Sequence, residues 1–357
     1  MDYLLTIPSS FILLISLINF LTIRTPEKSS QVQESISVIV PLRNEASNVG
    51  ELVASLRVQE NLTQVEFLLL DDNSEDDTLA LLQQHVSGLS NFHVLNGTTL
   101  PQGWIGKTWA LQQLLERSTG EIIISIDADV RLAPDAISKA VTLLKNAQLD
   151  FLSPYPKQLA LSWSEKLIQP LLQWSWMSTV ILRVAEKSSL SSTVVANGQF
   201  FVVRKAALDQ VGGYDSVRNK VLDDVELART LVKNGSHGCV ANGAAIASTR
   251  MYSSWAEIQA GYGKSLHAAF GSVLGSAVAI TFLFLTGIAP LIAGITGSSI
   301  GWYAFAAVTL TRAMSAIKVG KTGLDAFLHP FSSALLIYLI IYSWMMRGQV
   351  QWKGRTL

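Results

Sequence analysis

The chain has 357 residues, 49% hydrophobic and only 15% charged, with a mean hydropathy of +0.33. That is greasy for a soluble protein and too charged for a pure transporter, and the length suits one soluble domain of about 200–250 residues plus a few membrane helices. Its 27 basic and 27 acidic side chains cancel, so no charge excess marks a nucleic-acid partner. The lone Cys239 excludes an internal disulfide and a cysteine-built zinc cage, and the five histidines show no paired metal-ligand spacing.

Leu4 to Ile23 are almost uninterruptedly apolar, long enough to cross about 30 Å of hydrocarbon as a helix. No basic residue precedes the run and no A-x-A-like site follows it, which favours a retained anchor over residues 1–24 rather than a cleaved signal. Arg24 and Lys28 follow directly and place the next domain on the cytoplasmic side of a cell membrane. Gln31 to Glu34 reads as a polar linker.

Residues 35–255 then alternate two patterns. Ile36–Pro41, Glu66–Leu70, Phe92–Leu95 and Glu121–Ile126 are short and β-branched or apolar; Val49–Arg57, Thr78–Val86 and Thr108–Ser118 have helical periodicity. This alternation predicts an α/β domain with a mostly parallel sheet and its ligand at the carboxyl ends of the strands. Segment 161–184 is tryptophan- and leucine-rich with charges at its ends. It reads either as a helix in the membrane interface or as a core helix of the soluble domain. From Gly271 the chain turns apolar again, with spans expected near 271–293, 299–317 and 328–346 inside a C-terminal membrane region, 270–347, and then a basic tail, 348–357. Arg312, Lys318 and Lys321 put the join after the second of these on the cytoplasmic side. Four full crossings would leave the tail outside, against its charge, and a re-entrant last segment starting at Pro330 would resolve this.

The chemistry-bearing residues sit where the strands end. Ser37 to Pro41 exits into Leu42-Arg43-Asn44-Glu45, and Phe67 to Leu70 exits into Asp71-Asp72 and a capped helix, with Asp72 expected to be free for a nucleoside. Lys107, in Gly103-Trp104-Ile105-Gly106-Lys107, stands at a helix start where it can meet a phosphate. Asp127 and Asp129 close an apolar run. Carboxylates at i and i+2 of an extended strand leave the same face, and Mg2+ or Mn2+ often takes only one or two of them beside water and a substrate phosphate. Gly212-Gly213 marks a tight turn ahead of Asp223-Asp224-Val225-Glu226. Crowded carboxylates raise one another's pKa, which suits a base that deprotonates an alcohol; a plain helix cap is the alternative. Together these acids suggest a nucleotide-sugar transferase, and the hydrophobic ends of the chain suggest that it works on a membrane.

The ordered set SVIVPLRNE, LLLDDNSEDDT, GWIGK, DAD, NGQFFVVRK, GGYD and LDDVELA resembles the inverting family-2 glycosyltransferases of GT-A fold over about residues 35–250. GWIGKTWA, RMYSSW, GYGKS and WKGR are similar, more narrowly, to membrane enzymes that glucosylate carotenoids, hopanoids or related lipids. The resemblance implies a UDP-sugar donor, a lipid-like acceptor glycosylated on a hydroxyl or carboxyl, and a divalent metal. It further implies Pro41 and Glu45 in the nucleoside pocket, Asp72 on the uracil, Asp127 on the ribose side and with Asp129 at the metal, and Asp224 as general base. Asp223 stands where the family has a longer glutamate. The Q-x-x-R-W motif of processive members is missing; Arg250-Met251-Tyr252 and Trp352-Lys353-Gly354-Arg355 are its possible substitutes. A processive polysaccharide synthase and a non-catalytic nucleotide-binding membrane protein are the rival readings.

Overall fold

The computed structural model describes residues 2–347, 351–352 and 355–356. Lys353 and Gly354 of the predicted tail motif therefore lie outside the described residues. In chain order the helices and strands begin with α1 (Asp2–Thr22), β1 (Val32–Leu42), α2 (Ala46–Arg57), β2 (Leu62–Asp71), α3 (Thr78–Val86) and β3 (Phe92–Asn96). They continue with α4 (Gly106–Arg117), β4 (Ile122–Ile126), β5 (Val130–Leu132), α5 (Ala136–Asn146), β6 (Phe151–Tyr155) and β7 (Lys157–Gln158). Then come α6 (Trp163–Thr179), α7 (Leu182–Ala185), β8 (Phe200–Arg204), α8 (Lys205–Gln210), α9 (Asp223–Lys233), β9 (Gly238–Asn242) and β10 (Ala247–Thr249). The C-terminal part holds α10 (Trp255–Ala269), α11 (Val273–Leu283), α12 (Ala289–Ile295), α13 (Ser299–Lys318), α14 (His329–Met345) and the short antiparallel pair β11 (Gln351–Trp352) and β12 (Arg355–Thr356).

Seven strands form the central sheet in the order β3-β2-β1-β4-β8-β6-β9, and only β8 runs against the rest. Both faces of the sheet are covered, so its inner strands read as unbroken apolar runs rather than alternating ones. In β1, Val38 and Val40 pack with Val49 and Leu52 of α2 and Ile137 of α5 on one face. Ile39 turns the other way, to Leu111 and Leu114 of α4 and Leu227 and Leu231 of α9. The parallel course of β1, β2 and β4 brings Leu42, Asp71 and Ile126 to one edge of the sheet. Because β8 is reversed, its first residue, Phe200, pairs with Ile126 at that same edge. A small second sheet, β5-β10-β7, lies beyond it.

A separate apolar cluster joins Ile12 of α1, Ile168 and Trp174 of α6, Ile258 of α10, Val308 of α13 and Leu339 of α14. Among the described residues three helical segments are long and apolar enough to cross a membrane: Tyr3–Thr22, Val273–Ile295 and Leu324–Met345. The second is α11 and α12 joined through a π turn at Phe284–Ile288. The expected span 299–317 corresponds to α13, which is not among the three; it buries Thr311, Arg312 and Ser315. Segment 161–184 fits neither of its predicted descriptions alone. Trp174 is buried against α13, donating its Nε1–H to Thr311 Oγ1 at 2.8 Å, whereas Trp163 and Leu161 are exposed.

Candidate active site

The edge where β1, β4 and β8 meet opens into a cavity of about 550 Å³. Pro41 and Glu45 from the end of β1, Lys107 from the first turn of α4, Asp127 and Asp129 after β4, and Asp223 and Asp224 from the first turn of α9 all line it. Residues nearly a hundred positions apart in the chain thus face one space. Leu172 of α6, Met251, and Tyr262, Lys264, Ser265, Leu266 and Ala269 of α10 line the same cavity, mixing apolar and polar side chains.

The two acid groups meet on one cation. Lys107 Nζ lies 2.7 Å from Asp127 Oδ1. Burial opposes the lysine's charge, but Asp127, Asp223 and Asp224 outweigh it and raise its pKa. One ammonium does not neutralise four carboxylates. Burial, then Asp127 and Glu45, push Asp129 up to about 6, while a hydrogen bond from Thr249 Oγ1 at 2.7 Å acts the other way. Burial, then the neighbouring Asp224 and Asp127, push Asp223 up to about 6 against the pull of Lys107.

Asp224 is also raised, first by burial, with Lys107 and two backbone N–H donors restraining the shift. Those donors are Gly198 N, 2.6 Å from Oδ2, and Val225 N, 2.8 Å from Oδ1. A Cβ on Gly198 would stand 3.1 Å from the Asp224 Cβ, so the glycine is what lets this amide reach the carboxylate. The cap reading does not describe the pair: Leu222 is the N-cap, without a side-chain cap bond, and both aspartates lie inside the first turn. The predicted tight turn is present, with φ of 81° at Gly212 and 65° at Gly213.

Asp72 is placed differently from the sequence expectation. It is 1% exposed and does not line the cavity, its backbone N–H donating to Leu42 O at 2.7 Å. Arg43 lines the cavity instead and donates from Nη1 to the carbonyls of Asp72 and Asn73. β2 runs on through Asp71, so the chain turns inward at Asp72 before α3. The sequence reading also passed over Thr249, which holds Asp129, and gave no site role to Tyr262 of the GYGKS motif, which lines the cavity from α10. Thr249 sits in a three-residue strand, too short for any periodicity to announce.

The donor set suits a small hard cation. Asp127 and Asp129 offer carboxylate oxygens from one loop. Among the described residues no group of three His, Cys, Asp or Glu forms a complete cage, and Mg2+ or Mn2+ sites that share a substrate phosphate do not need one.

Residues 37–212 match the model of glycosyl transferase family 2. The chain carries a family 2 glycosyltransferase domain. The matched span holds Pro41, Glu45, Lys107, Asp127 and Asp129 and stops short of Asp223 and Asp224. The chain is 28% identical over 195 residues to a beta-monoglucosyldiacylglycerol synthase of Trichormus variabilis, an overlap of 54% of this chain and 40% of that protein. This chain thus spans less than half the length of that relative. A 4,4'-diaponeurosporenoate glycosyltransferase of Staphylococcus aureus is 23% identical over 90% of this chain and 88% of its own. Among solved structures, the mannosyltransferase PcManGT of Pyrobaculum calidifontis, in complex with GDP-Man and Mn2+, superposes with a TM-score of 0.54 at 15% identity. It covers 94% of this chain and 98% of its own, which shows the GT-A fold of the glycosyltransferase domain with its flanking helices.

Proposed function

We propose that the protein is a membrane-bound inverting glycosyltransferase that moves a hexose, with glucose the first choice, from a UDP-sugar to a hydroxyl or carboxyl of a lipid-like acceptor such as a carotenoid, a hopanoid or a diacyl lipid. The observation that carries this reading is the shared cavity. It holds Asp127, Asp129, Asp223 and Asp224, and it is also lined by Leu172 of α6 and Leu266 and Ala269 of α10, helices that pack in the bundle with α1 and α14. A lipid presented from the bilayer can lay its chain on those apolar side chains with its polar end toward the acids. The printed activities of the diacylglycerol and diaponeurosporenoate relatives support the acceptor class, and the Mn2+ in the mannosyltransferase complex supports a metal.

Within this reading Asp224 is the general base. Its carboxylate is oriented by the Gly198 and Val225 amides, and it takes the proton as the acceptor oxygen attacks the anomeric carbon from the face opposite the leaving diphosphate. Asp223 keeps negative charge beside it and aligns the sugar or acceptor. Asp129, with Asp127, would hold a divalent cation, which supplies charge neutralisation for the departing diphosphate. Lys107 neutralises Asp127 and stands ready to meet a phosphate oxygen. Pro41, Glu45 and Arg43 border the space for the nucleoside, with Asp72 behind them as a proposed uracil contact reached on closure. The basic residues after α1 and α13 support a cytoplasmic position for the domain.

Incubating membranes that contain the protein with labelled UDP-sugars and analysing the lipid extract tests the proposal. One sugar added per lipid molecule is expected. Long polymeric product would favour the processive alternative, and retained nucleotide binding with no transfer to any lipid would favour the non-catalytic one.

A further inference from the structure

A separate polar cavity of about 30 Å³ lies where the helix bundle meets the small sheet, bordered by Gln158 of β7, Gln169 of α6, Arg312 of α13, and Lys321 and Asp325 before α14. Arg312 is 2% exposed and Gln169 3%. The arginine's Nη2 donates to Lys166 O at 3.3 Å. Its Nη1, and both amide atoms of Gln169, have no hydrogen-bond partner among the described residues. Buried donors left in this state are costly, and a guanidinium most of all.

The charge balance names what is missing. Arg312 and Lys321 line the cavity with the single carboxylate of Asp325, and Lys157 of β7 stands close enough to act on Lys321; burial lowers the pKa of Lys321, and Lys157 and Arg312 lower it further against Asp325. Three cations, one acid and open N–H groups call for an oxyanion, which a planar guanidinium binds through two donors. The space is too small for a sugar or a nucleotide but admits a few oxygen-sized atoms. Beside the cleft Leu324, Phe327, Leu328 and Phe331 are exposed, an apolar shoulder continuous with the span Leu324–Met345. Basic pockets between membrane helices commonly receive lipid headgroups.

The geometry points to a binding site for the phosphate of an anionic membrane lipid in the cleft between α6, α13 and the start of α14, held by Arg312 and Lys321 with Gln169 as a neutral donor and with the acyl chains along the Leu324–Phe331 shoulder. This site is distinct from the catalytic cavity and does not depend on the proposed reaction.

Purified full-length protein in detergent is titrated with phosphatidylglycerol, phosphatidylcholine or inorganic phosphate while thermal unfolding is followed. Phosphatidylglycerol at a hundredfold excess over its Kd should raise Tm by about 4 °C, and phosphatidylcholine should not. Lys321→Gln and Arg312→Gln should each abolish the shift, and Asp325→Asn, which removes the competing carboxylate, should enlarge it. Lys321 is only partly buried, so its variant keeps the test readable should Arg312→Gln fail to fold. If inorganic phosphate reproduces the whole shift and the lipid adds nothing, the lipid assignment falls. No shift with either probe, or a shift that persists in Lys321→Gln, overturns the site.

Discussion

Asp224 owes its position to a glycine twenty-six residues earlier, the Gly198 amide donating to its carboxylate at 2.6 Å. Asp224→Asn keeps the shape and removes the base. Turnover should drop about 10²- to 10⁴-fold with donor affinity unchanged, as measured by product formation beside nucleotide titration; near-normal turnover would refute the role. Asp129→Ala should remove the enhancement of UDP binding by Mn2+, and chelating the metal should weaken UDP binding to the unaltered protein but not to the variant. Asp223 gives a test of the crowding itself. Its folded pKa is raised from the ordinary carboxylate range to about 6, so the folded chain holds this proton more tightly than the unfolded one. The stability it contributes is fully present at about pH 4 or below and is lost as pH rises through 6. Melting curves across that window should show a smaller decline for Asp223→Asn than for the parent chain. The acids were legible because apolar runs announce where strands stop; the expectation that Asp127 and Asp129 leave one face of an extended strand did not hold, since both lie in the turn after β4, where Val130 N–H donates to Asp127 O at 3.1 Å. The burial of Asp72 was not legible, because it depends on Arg43 reaching across from another strand to the Asp72 and Asn73 carbonyls.

α1 does more than anchor. Asn19 is fully buried; its Nδ2 donates to Met177 O at 2.9 Å and Val180 O at 2.6 Å, and its Oδ1 accepts from Leu182 N at 3.0 Å. One side chain therefore satisfies the last carbonyls of α6 and the first amide of α7, groups that helix ends leave orphaned. Asn19→Ala should destabilise the detergent-solubilised protein by about 1–3 kcal/mol, read as a lowered Tm; an unchanged Tm would show that water replaces the contact. Four of the central strands were readable from their apolar runs, within a few residues of their ends. The small sheet β5-β10-β7 was not, since strands of two or three residues carry no pattern of their own and exist because the larger sheet positions them. The place of α6 was equally hidden. Its sequence is amphipathic enough for an interface, yet Trp174 finds Thr311 from a helix more than a hundred residues away.

The whole molecule is a seven-stranded sheet beside a helix bundle that has an apolar cluster of its own. With three segments able to cross a bilayer, alkaline carbonate washing should leave the protein in the membrane pellet; release into the supernatant would show that the apolar helices only lie on the surface. The reversed strand β8 has a further consequence for biosynthesis. It fills the gap between β4 and β6, yet it emerges from the ribosome after both, and after the whole of α6. Until Phe200–Arg204 has been made, β4 has an open edge, β6 has neither neighbour, and Asp224 does not yet exist. The nascent N-terminal half must therefore wait with an unpaired edge while α6 finds its berth beside α1, and a chain truncated before residue 200 should be prone to aggregate.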